Sequence, residues 1–165
     1  MLVGLIADTH DNLSNVEKAV KEFKRRGVEL VLHAGDHNAP FTVARFAELD
    51  AKLIGVLGNV DGEVEGLKRK YEEIGGELRG EFGVVEVEGI KIALLHGFHR
   101  EIVEALALSG RYDVVVCGHT HQFECTKLSS GLIVNPGECC GYLTGDATIA
   151  LLEAPSLKVE FIKLK

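Results

Sequence analysis

The chain contains 165 residues, of which 46% are hydrophobic and 26% charged. This length and composition predict one globular domain spanning residues 1–165 with its own hydrophobic core. Asp and Glu outnumber Lys and Arg by 25 to 18, which gives a net charge of −7 and argues against binding to duplex nucleic acid. No apolar run approaches the roughly 20 residues that cross a bilayer, and no signal peptide is seen. We therefore expect a cytoplasmic protein that does not bind membranes.

In the first half of the chain, short apolar runs alternate with amphipathic segments. Ser14 and Glu17 form a capping-box pattern at the start of the first helix, and Gly27 ends that helix. Pro40 suits the first turn of the second helix. The pattern predicts strands at residues 2–7, 30–34 and 52–57 and helices at residues 14–26, 40–49 and 63–74.

The second half of the chain is richer in strands. Residues 83–88 and 90–95 read as an antiparallel pair joined by a tight turn at Glu88 and Gly89. A helix at residues 100–108 leads to a strand at residues 114–117, and further strands follow with turns at residues 129–131 and 154–156. This order of elements predicts an α/β fold in which two mixed β-sheets pack face to face and are flanked by helices.

Polar side chains collect at the ends of the predicted strands, where open α/β sheets place ligand-binding groups. They lie in five segments: Asp8-Thr9-His10, Gly35-Asp36, Gly58-Asn59, Leu95-His96-Gly97 and Gly118-His119-Thr120-His121. Residues two apart in an extended segment point the same way, which would align Asp8 with His10 and His119 with His121. The glycines in these segments allow sharp turns and close backbone approach.

The side chains of these segments suit divalent metal ions. Carboxylate, imidazole and amide groups together favour Mn²⁺, Fe²⁺, Zn²⁺ or a related ion, whereas Ca²⁺ would require mainly oxygen ligands. One tetrahedral ion needs fewer ligands than the set provides, while two ions that share a carboxylate would use all of it. The candidate ligands are Asp8, His10, Asp36, Asn59, His96, His119 and His121.

The ordered motifs resemble those of the calcineurin-like metallophosphoesterase superfamily, whose signature runs Asp-x-His, Gly-Asp, Gly-Asn, His and Gly-His-x-His. The short length, Gly58-Asn59-Val60-Asp61 and Asn135-Pro136-Gly137 look most like the small YfcE type of phosphodiesterase. The stretch at residues 135–145, which contains Cys139 and Cys140, resembles archaeal members.

The resemblance implies a dinuclear phosphodiesterase that hydrolyses small phosphate esters by attack of a metal-bridging hydroxide. One ion would be bound by Asp8, His10, Asp36 and His121, and the other by Asp36, Asn59, His96 and His119. Asp36 would bridge the ions, and Asp36, Asn59 and His96 would position the nucleophile and the phosphate. We expect Mn²⁺ first, with Ni²⁺, Fe²⁺, Zn²⁺ or Co²⁺ as alternatives.

One position departs from the wider superfamily, in which Gly-Asn is usually followed by a His that helps to protonate the leaving group. This chain has Val60 there, as YfcE-type members also lack the His. The general acid is therefore unassigned, and activated leaving groups or slow turnover are expected.

Several other polar or aromatic residues lie outside the candidate ligand set. We expect His33 to be a core or supporting histidine and His37 and His99 to face the cleft or the surface. Asp61 is expected either to orient Asn59 or a ligand His or to be a plain turn carboxylate. Reduced cysteines are expected, with a structural role for Cys139 and Cys140. The aromatic side chains that could line a nucleobase pocket, but for which buried packing is the preferred prediction, are Phe98, Phe123 and Tyr142.

Two other function classes compete with the small-molecule phosphodiesterase. A retromer subunit with the same fold is chiefly a protein-interaction scaffold, but a scaffold has no chemical reason to keep the complete ligand set. A DNA-repair nuclease would need a DNA-binding extension and a basic face. The sequence carries no signature of oligomeric state, so a homo-oligomer remains an open alternative.

Overall fold

The computed structural model describes all 165 residues. The strands β1 to β11 are Leu2–Ile6, Leu30–His33, Lys52–Gly55, Glu77–Leu78, Phe82–Val87, Ile90–Leu95, Val114–Val116, Phe123–Lys127, Leu132–Pro136, Thr148–Glu153 and Lys158–Lys163. The helices α1 to α4 are Leu13–Arg26, Pro40–Ala44, Val64–Glu73 and Arg100–Leu108, and a 3-10 helix, Arg45–Glu48, directly follows α2.

The strands form two mixed sheets. In the six-stranded sheet, of order β11-β10-β1-β2-β3-β4, β1 to β4 are parallel, while β10 and β11 are antiparallel to their neighbours. In the five-stranded sheet, of order β5-β6-β7-β9-β8, the central strands are parallel and both edge strands are antiparallel. The predicted fold class of two mixed sheets flanked by helices is confirmed.

Alternating side chains divide the apolar residues among three layers. The inward-facing side chains of both sheets, such as Leu5 and Val116, form the core between the sheets. On the outer face of the six-stranded sheet, α1, α2 and α3 cover residues such as Ile6. Gly4 lets α1 approach β1 closely, because a Cβ atom there would lie 2.7 Å from the Phe23 ring. On the outer face of the five-stranded sheet, α4 packs through Val103 and Ala107.

The structure corrects some predicted element boundaries. The predicted capping box at Ser14 and Glu17 is wrong, because α1 begins at Leu13 and the side chain of Asn12 accepts the N-terminal hydrogen bond instead. Gly27 caps the helix as predicted, in the left-handed conformation. The helix predicted at residues 40–49 is divided into α2 and the 3-10 helix, and the short edge strand β4 was not predicted.

No helix combines the length and apolar character needed to cross a membrane. All four cysteines are free thiols, as expected.

Candidate metal centre

The structure brings all seven predicted ligands together. They follow β1, β2, β3, β6 and β7, so the parallel strands of both sheets direct their carboxyl ends toward one cleft. The carboxylates of Asp8 and Asp36 are buried at its base. The remaining ligands surround these two carboxylates.

The first group of side chains surrounds Asp8. Nε2 of His121 lies 3.6 Å from Asp8 Oδ1, and Nε2 of His10 lies 3.9 Å from the same atom. His10 Nε2 also lies 3.6 Å from Asp36 Oδ2, and the rings of His10 and His121 stack with centroids 5.1 Å apart. Asp8, His10, Asp36 and His121 are therefore close enough to bind one ion.

The second group lies on the other side of Asp36. Nε2 of His96 is 3.2 Å from Asp36 Oδ2. Nδ1 of His119 lies 3.0 Å from Asn59 Oδ1, and the rings of His96 and His119 meet edge to face with centroids 5.2 Å apart. The Asp36 carboxylate therefore lies between the two groups.

Two atoms in the cleft test whether the site fits a metal ion. The Nε2 atoms of His10 and His96 are buried and have no hydrogen-bond partner. A buried polar atom without a partner is destabilising, and such atoms are uncommon in folded proteins. Because both atoms face Asp36 and have the donor chemistry of first-row divalent ions, the side chains fit the metal site that the sequence predicts.

The local backbone explains how paired ligands meet, and it differs from the extended geometry we expected. Asp8, His10, His119 and His121 all have positive φ, between 38° and 71°. The Asp-x-His and His-x-His segments are thus tight turns after β1 and β7, so the predicted extended geometry is wrong, although the side chains of Asp8 and His10 do lie close together. Several non-glycine residues in this conformation represent stored backbone strain, which is common at functional sites.

Two glycines create room for the carboxylates. A Cβ atom on Gly58 would lie 2.0 Å from Asp36 Oδ1, and a Cβ atom on Gly118 would lie 2.8 Å from Asp8 Oδ2. Any larger residue at either position would displace a predicted ligand. The expectation of close backbone approach at these strand ends is confirmed.

Hydrogen bonds at Nδ1 orient the imidazoles of two predicted ligands. Nδ1 of His96 donates to the carbonyl oxygen of Ala34 at 2.8 Å, and Nδ1 of His121 donates to Oε2 of Glu138 at 2.6 Å. In both rings the Nε2 lone pair is left to face the cleft, an arrangement common among histidine ligands of metals.

Glu138 is a supporting residue that the sequence analysis missed. Its fully buried side chain also accepts hydrogen bonds from the backbone N–H groups of Leu143 and Thr144. Burial raises the pKa of Glu138, but the donors, His121 foremost, outweigh this and lower the pKa to about 2. The only sequence signal was a carboxylate directly after Asn135-Pro136-Gly137.

Asp61 supports the site through the backbone. One carboxylate oxygen accepts from the N–H groups of Asp36 and Gly58, at 3.0 and 2.7 Å, and the other accepts from Asn38. Burial raises the pKa of Asp61, but these donors and His37 outweigh it and hold the pKa well below its usual value. Asp61 therefore fixes the turns that carry Asp36 and Asn59, which agrees with the expected alternative of a turn carboxylate.

The predicted location is wrong for His37 and correct for His33. His37 is fully buried between Asp61 and the hydroxyl of Tyr71, so the expectation that it faces the cleft or the surface is wrong. His33 is buried as predicted and stacks on His37 with ring centroids 3.7 Å apart. Nε2 of His33 donates to the hydroxyl of Thr9, which donates to the Asp36 carbonyl.

Burial and charge set the ionisation of the predicted ligands. Burial raises the pKa of Asp8 from 3.8 to about 6, although His96 and His121 oppose the shift. For Asp36 and His96, burial opposes ionisation but their mutual attraction outweighs it, so the pKa of Asp36 is lowered and that of His96 is raised. Burial lowers the pKa of His10. The centre thus combines carboxylates and imidazoles whose proton occupancies depend on one another.

Three aromatic side chains and His99 are exposed to solvent. Phe98, Phe123 and Tyr142 are exposed, so the preferred prediction of buried packing is wrong for all three. His99 is also exposed and lies directly before α4.

The adjacent cysteines are buried, and their N–H groups donate to the carbonyls of Ala7 and Asp8. Burial raises the pKa of Cys140 to about 12, so this thiol is protonated near the ligands, and it donates to Glu138. These contacts agree with the predicted structural role.

Comparisons with known proteins place these motifs in a family. A model described as "Calcineurin-like phosphoesterase superfamily domain" matches residues 1–156. A phosphodiesterase of Methanocaldococcus jannaschii is 40% identical over 166 aligned positions, covering 100% of both chains. A solved structure described as a novel archaeal phosphodiesterase matches with a TM-score of 0.95 and 39% identity, covering 99% of this chain and 100% of that one.

More distant structures show the same fold. The YfcE phosphoesterase of Escherichia coli matches with a TM-score of 0.75 and 21% identity over 100% of both chains. A Vps29 variant from Entamoeba histolytica matches with a TM-score of 0.69 and 21% identity, again over 100% of both.

Proposed function

Because the chain belongs to the calcineurin-like phosphoesterase superfamily, as its motifs indicated, we propose that this metal-dependent phosphoesterase is a dinuclear phosphodiesterase. The observation that carries the proposal is the position of Asp36. Its Oδ2 lies 3.6 Å from Nε2 of His10 and 3.2 Å from Nε2 of His96, and both nitrogens are buried without a hydrogen-bond partner. A carboxylate between two such groups is suited to bridge two cations.

The ligands would divide between the two ions as the sequence resemblance implied. Asp8, His10, Asp36 and His121 would hold one ion, and Asp36, Asn59, His96 and His119 the other. The separations within each group and the stacked or edge-to-face imidazoles support this division. Mn²⁺ is the proposed native metal, and Ni²⁺, Fe²⁺, Zn²⁺ and Co²⁺ suit the same nitrogen and oxygen donors.

The chain itself contributes a site that is organised before substrate binds. When bound, divalent cations neutralise phosphoryl oxygens and make a water acidic enough to act as a nucleophile. The N–H of Val60 donates to Asp36 Oδ1 at 3.1 Å, while Ala34 and Glu138 fix the rings of His96 and His121. Asp36, Asn59 and His96 would then position the reacting groups with little reorganisation.

Protonation of the leaving oxygen has no assigned donor. Val60 has no group that can give up a proton and is partly exposed beside Asn59. Activated esters, whose leaving oxygen needs no proton, are therefore the favoured substrates.

Small phosphodiesters are the proposed substrate class. The support is the full-length similarity to a protein named a phosphodiesterase. A net charge of −7 disfavours duplex nucleic acid, because such polyanions require extended positive surface. The expected cytoplasmic location remains a prediction.

The alternative function is a protein-interaction scaffold of the retromer-subunit type. The Vps29 fold and the exposed aromatic side chains near the cleft give it some support. The complete ligand set favours catalysis, because a scaffold does not require two imidazole Nε2 atoms without hydrogen-bond partners beside a buried carboxylate.

Hydrolysis by the metal-loaded chain tests the proposal. Protein stripped with EDTA and reloaded with Mn²⁺ or Ni²⁺ should hydrolyse bis-p-nitrophenyl phosphate, and Asp36→Ala should reduce the rate to that of stripped protein. Asp50→Ala is a matched control, since the Asp50 side chain is 85% exposed. A loaded wild type no faster than stripped protein would favour the scaffold. Metal analysis that gives about one ion per chain would contradict the dinuclear part alone.

A further inference from the structure

A small apolar pocket lies directly beside the metal centre. Its volume is about 180 Å³, and His96, a predicted metal ligand, forms part of its wall. The pocket residues that matter here, which we call the aromatic subsite, are Glu81, Phe82, Leu95, Phe98, His99 and Ile102.

Three of the four apolar side chains of the aromatic subsite are exposed, and the fourth, Leu95, is buried. Phe98 is 51% exposed, and Phe82 and Ile102 are also exposed. Single exposed apolar residues are ordinary, but here three of them line one concave pocket whose wall includes a predicted metal ligand. Phe98 also lies edge-on to His119, with ring centroids 6.4 Å apart, which places its ring next to both histidines of the second group.

The backbone holds Phe98 in this position. Gly97, directly after His96, has a φ of 84°, and a Cβ atom there would lie 3.0 Å from atoms of both Cys117 and Val103. The chain can therefore turn sharply between the ligand and the aromatic residue only because residue 97 is glycine. Phe82 is in turn held by an edge-on contact with Tyr112, at a centroid distance of 6.3 Å.

From this geometry, and resting on the proposed phosphodiesterase function, we infer that the aromatic subsite binds a nucleobase carried by one of the two alcohols of the phosphodiester. A planar ring can stack on Phe98 while its phosphate lies at the metal centre, because His96 borders both places. The carboxylate of Glu81 and the imidazole of His99 give the pocket polar groups. A nucleobase can hydrogen-bond to these groups, whereas a plain hydrocarbon ring cannot.

A pair of phosphate monoesters isolates the contribution of the base. Adenosine 5′-monophosphate and ribose 5-phosphate share a sugar and a phosphate, so only the base distinguishes them. Base stacking on an aromatic side chain is typically strong enough to change affinity by about fivefold to a hundredfold. Titration of Mn²⁺-loaded protein should therefore show the adenosine compound binding at least about fivefold more tightly.

Substitutions at Phe98 should change this ratio specifically. Phe98→Ala should bring the two affinities to near equality by weakening only the adenosine compound, and Phe98→Tyr should retain the preference. Phe41→Ala is a matched control, because Phe41 is 54% exposed but does not line the aromatic subsite, and it should leave the ratio unchanged.

Three results would overturn the inference. The first is equal affinity of wild type for both compounds, which would leave the proposed hydrolysis of phosphodiesters intact. The second is an equal loss of affinity for both compounds in Phe98→Ala, because stacking cannot act on ribose 5-phosphate. The third is a dimer, seen by sedimentation, that Phe98→Ala dissociates, since a second copy of the chain would then cover the pocket. Failure of hydrolysis with every metal would count against the proposed function instead.

Discussion

The side chain of Glu138 connects the predicted metal ligand His121 to the backbone of Leu143 and Thr144. Oε2 of Glu138 lies 2.6 Å from Nδ1 of His121, while its carboxylate also accepts from the N–H groups of Leu143 and Thr144. The carboxylate is buried and its pKa is lowered to about 2. It therefore remains ionised at neutral pH and can orient His121 continuously.

Glu138→Gln should weaken metal binding. The neutral amide makes His121 a poorer electron donor, and changes of this kind typically reduce metal affinity by about 10-fold to 100-fold. Competition with a chromophoric chelator measures this directly, independently of catalysis. The control is Glu101→Gln, at an exposed carboxylate of α4. Unchanged affinity in Glu138→Gln would show that the pair has only a structural role.

Asp8 should make the metal-free protein less stable at neutral pH. Its folded-state pKa is about 6 against a usual 3.8, so the folded chain binds this proton more tightly than the unfolded chain. The free energy of unfolding therefore falls as pH rises from about 4 to 6, and the full penalty is present above about pH 6. Asp8→Asn should remove a penalty of about 3 kcal/mol near pH 7.5 and little near pH 4.

Urea denaturation of metal-free protein at both pH values tests this expectation. Added Mn²⁺ should make wild type more stable than Asp8→Asn at neutral pH. The amide is a weaker ligand than the carboxylate, and a bound ion stabilises the folded protein more when it binds more tightly. A difference between wild type and Asp8→Asn that is the same at both pH values would contradict the assigned role of ionisation.

Asp61→Ala should destabilise the fold and the metal site together. The change leaves the N–H groups of Asp36 and Gly58 and the imidazole of His37 without their acceptor. We expect the free energy of unfolding to fall by about 3 kcal/mol, as measured by urea denaturation of metal-free protein. The free energy of unfolding of Asp61→Asn should lie between those of wild type and Asp61→Ala, because the amide oxygen still accepts hydrogen bonds. The control Asp50→Ala should have little effect. A loss below about 1 kcal/mol would contradict this account.

Val60→His should extend hydrolysis to poorer leaving groups. A histidine placed beside Asn59 could donate a proton to the leaving oxygen, and acid catalysis of this type contributes about 100-fold or more when well positioned. We expect at least about a tenfold gain in kcat for an alkyl ester relative to a p-nitrophenyl ester. Val64→His is a matched control, because Val60 and Val64 are both 39% exposed. An equal change for both esters would argue against proton donation.

The sequence by itself determined the class of fold and predicted the ligand set. Apolar runs and amphipathic segments depend on local spacing, and therefore most elements, such as α4 at residues 100–108, agree with the structure. The ordered Asp, Asn and His motifs identified the family, which the comparisons confirm. The seven candidate ligands could be chosen because their side-chain chemistry and their positions at strand ends can be read from the sequence.

Only the tertiary structure decided which distant residues support those ligands. Glu138 and His121 are 17 residues apart in the sequence. Asp61 lies 25 residues from Asp36, whose backbone N–H donates a hydrogen bond to the Asp61 carboxylate. No periodic pattern records such pairings, because they depend on how loops from both sheets pack at one edge. The burial of His37 and the exposure of Phe98 were mispredicted for the same reason. Whether a polar or aromatic side chain outside a regular element is covered depends on neighbours that only the folded chain supplies.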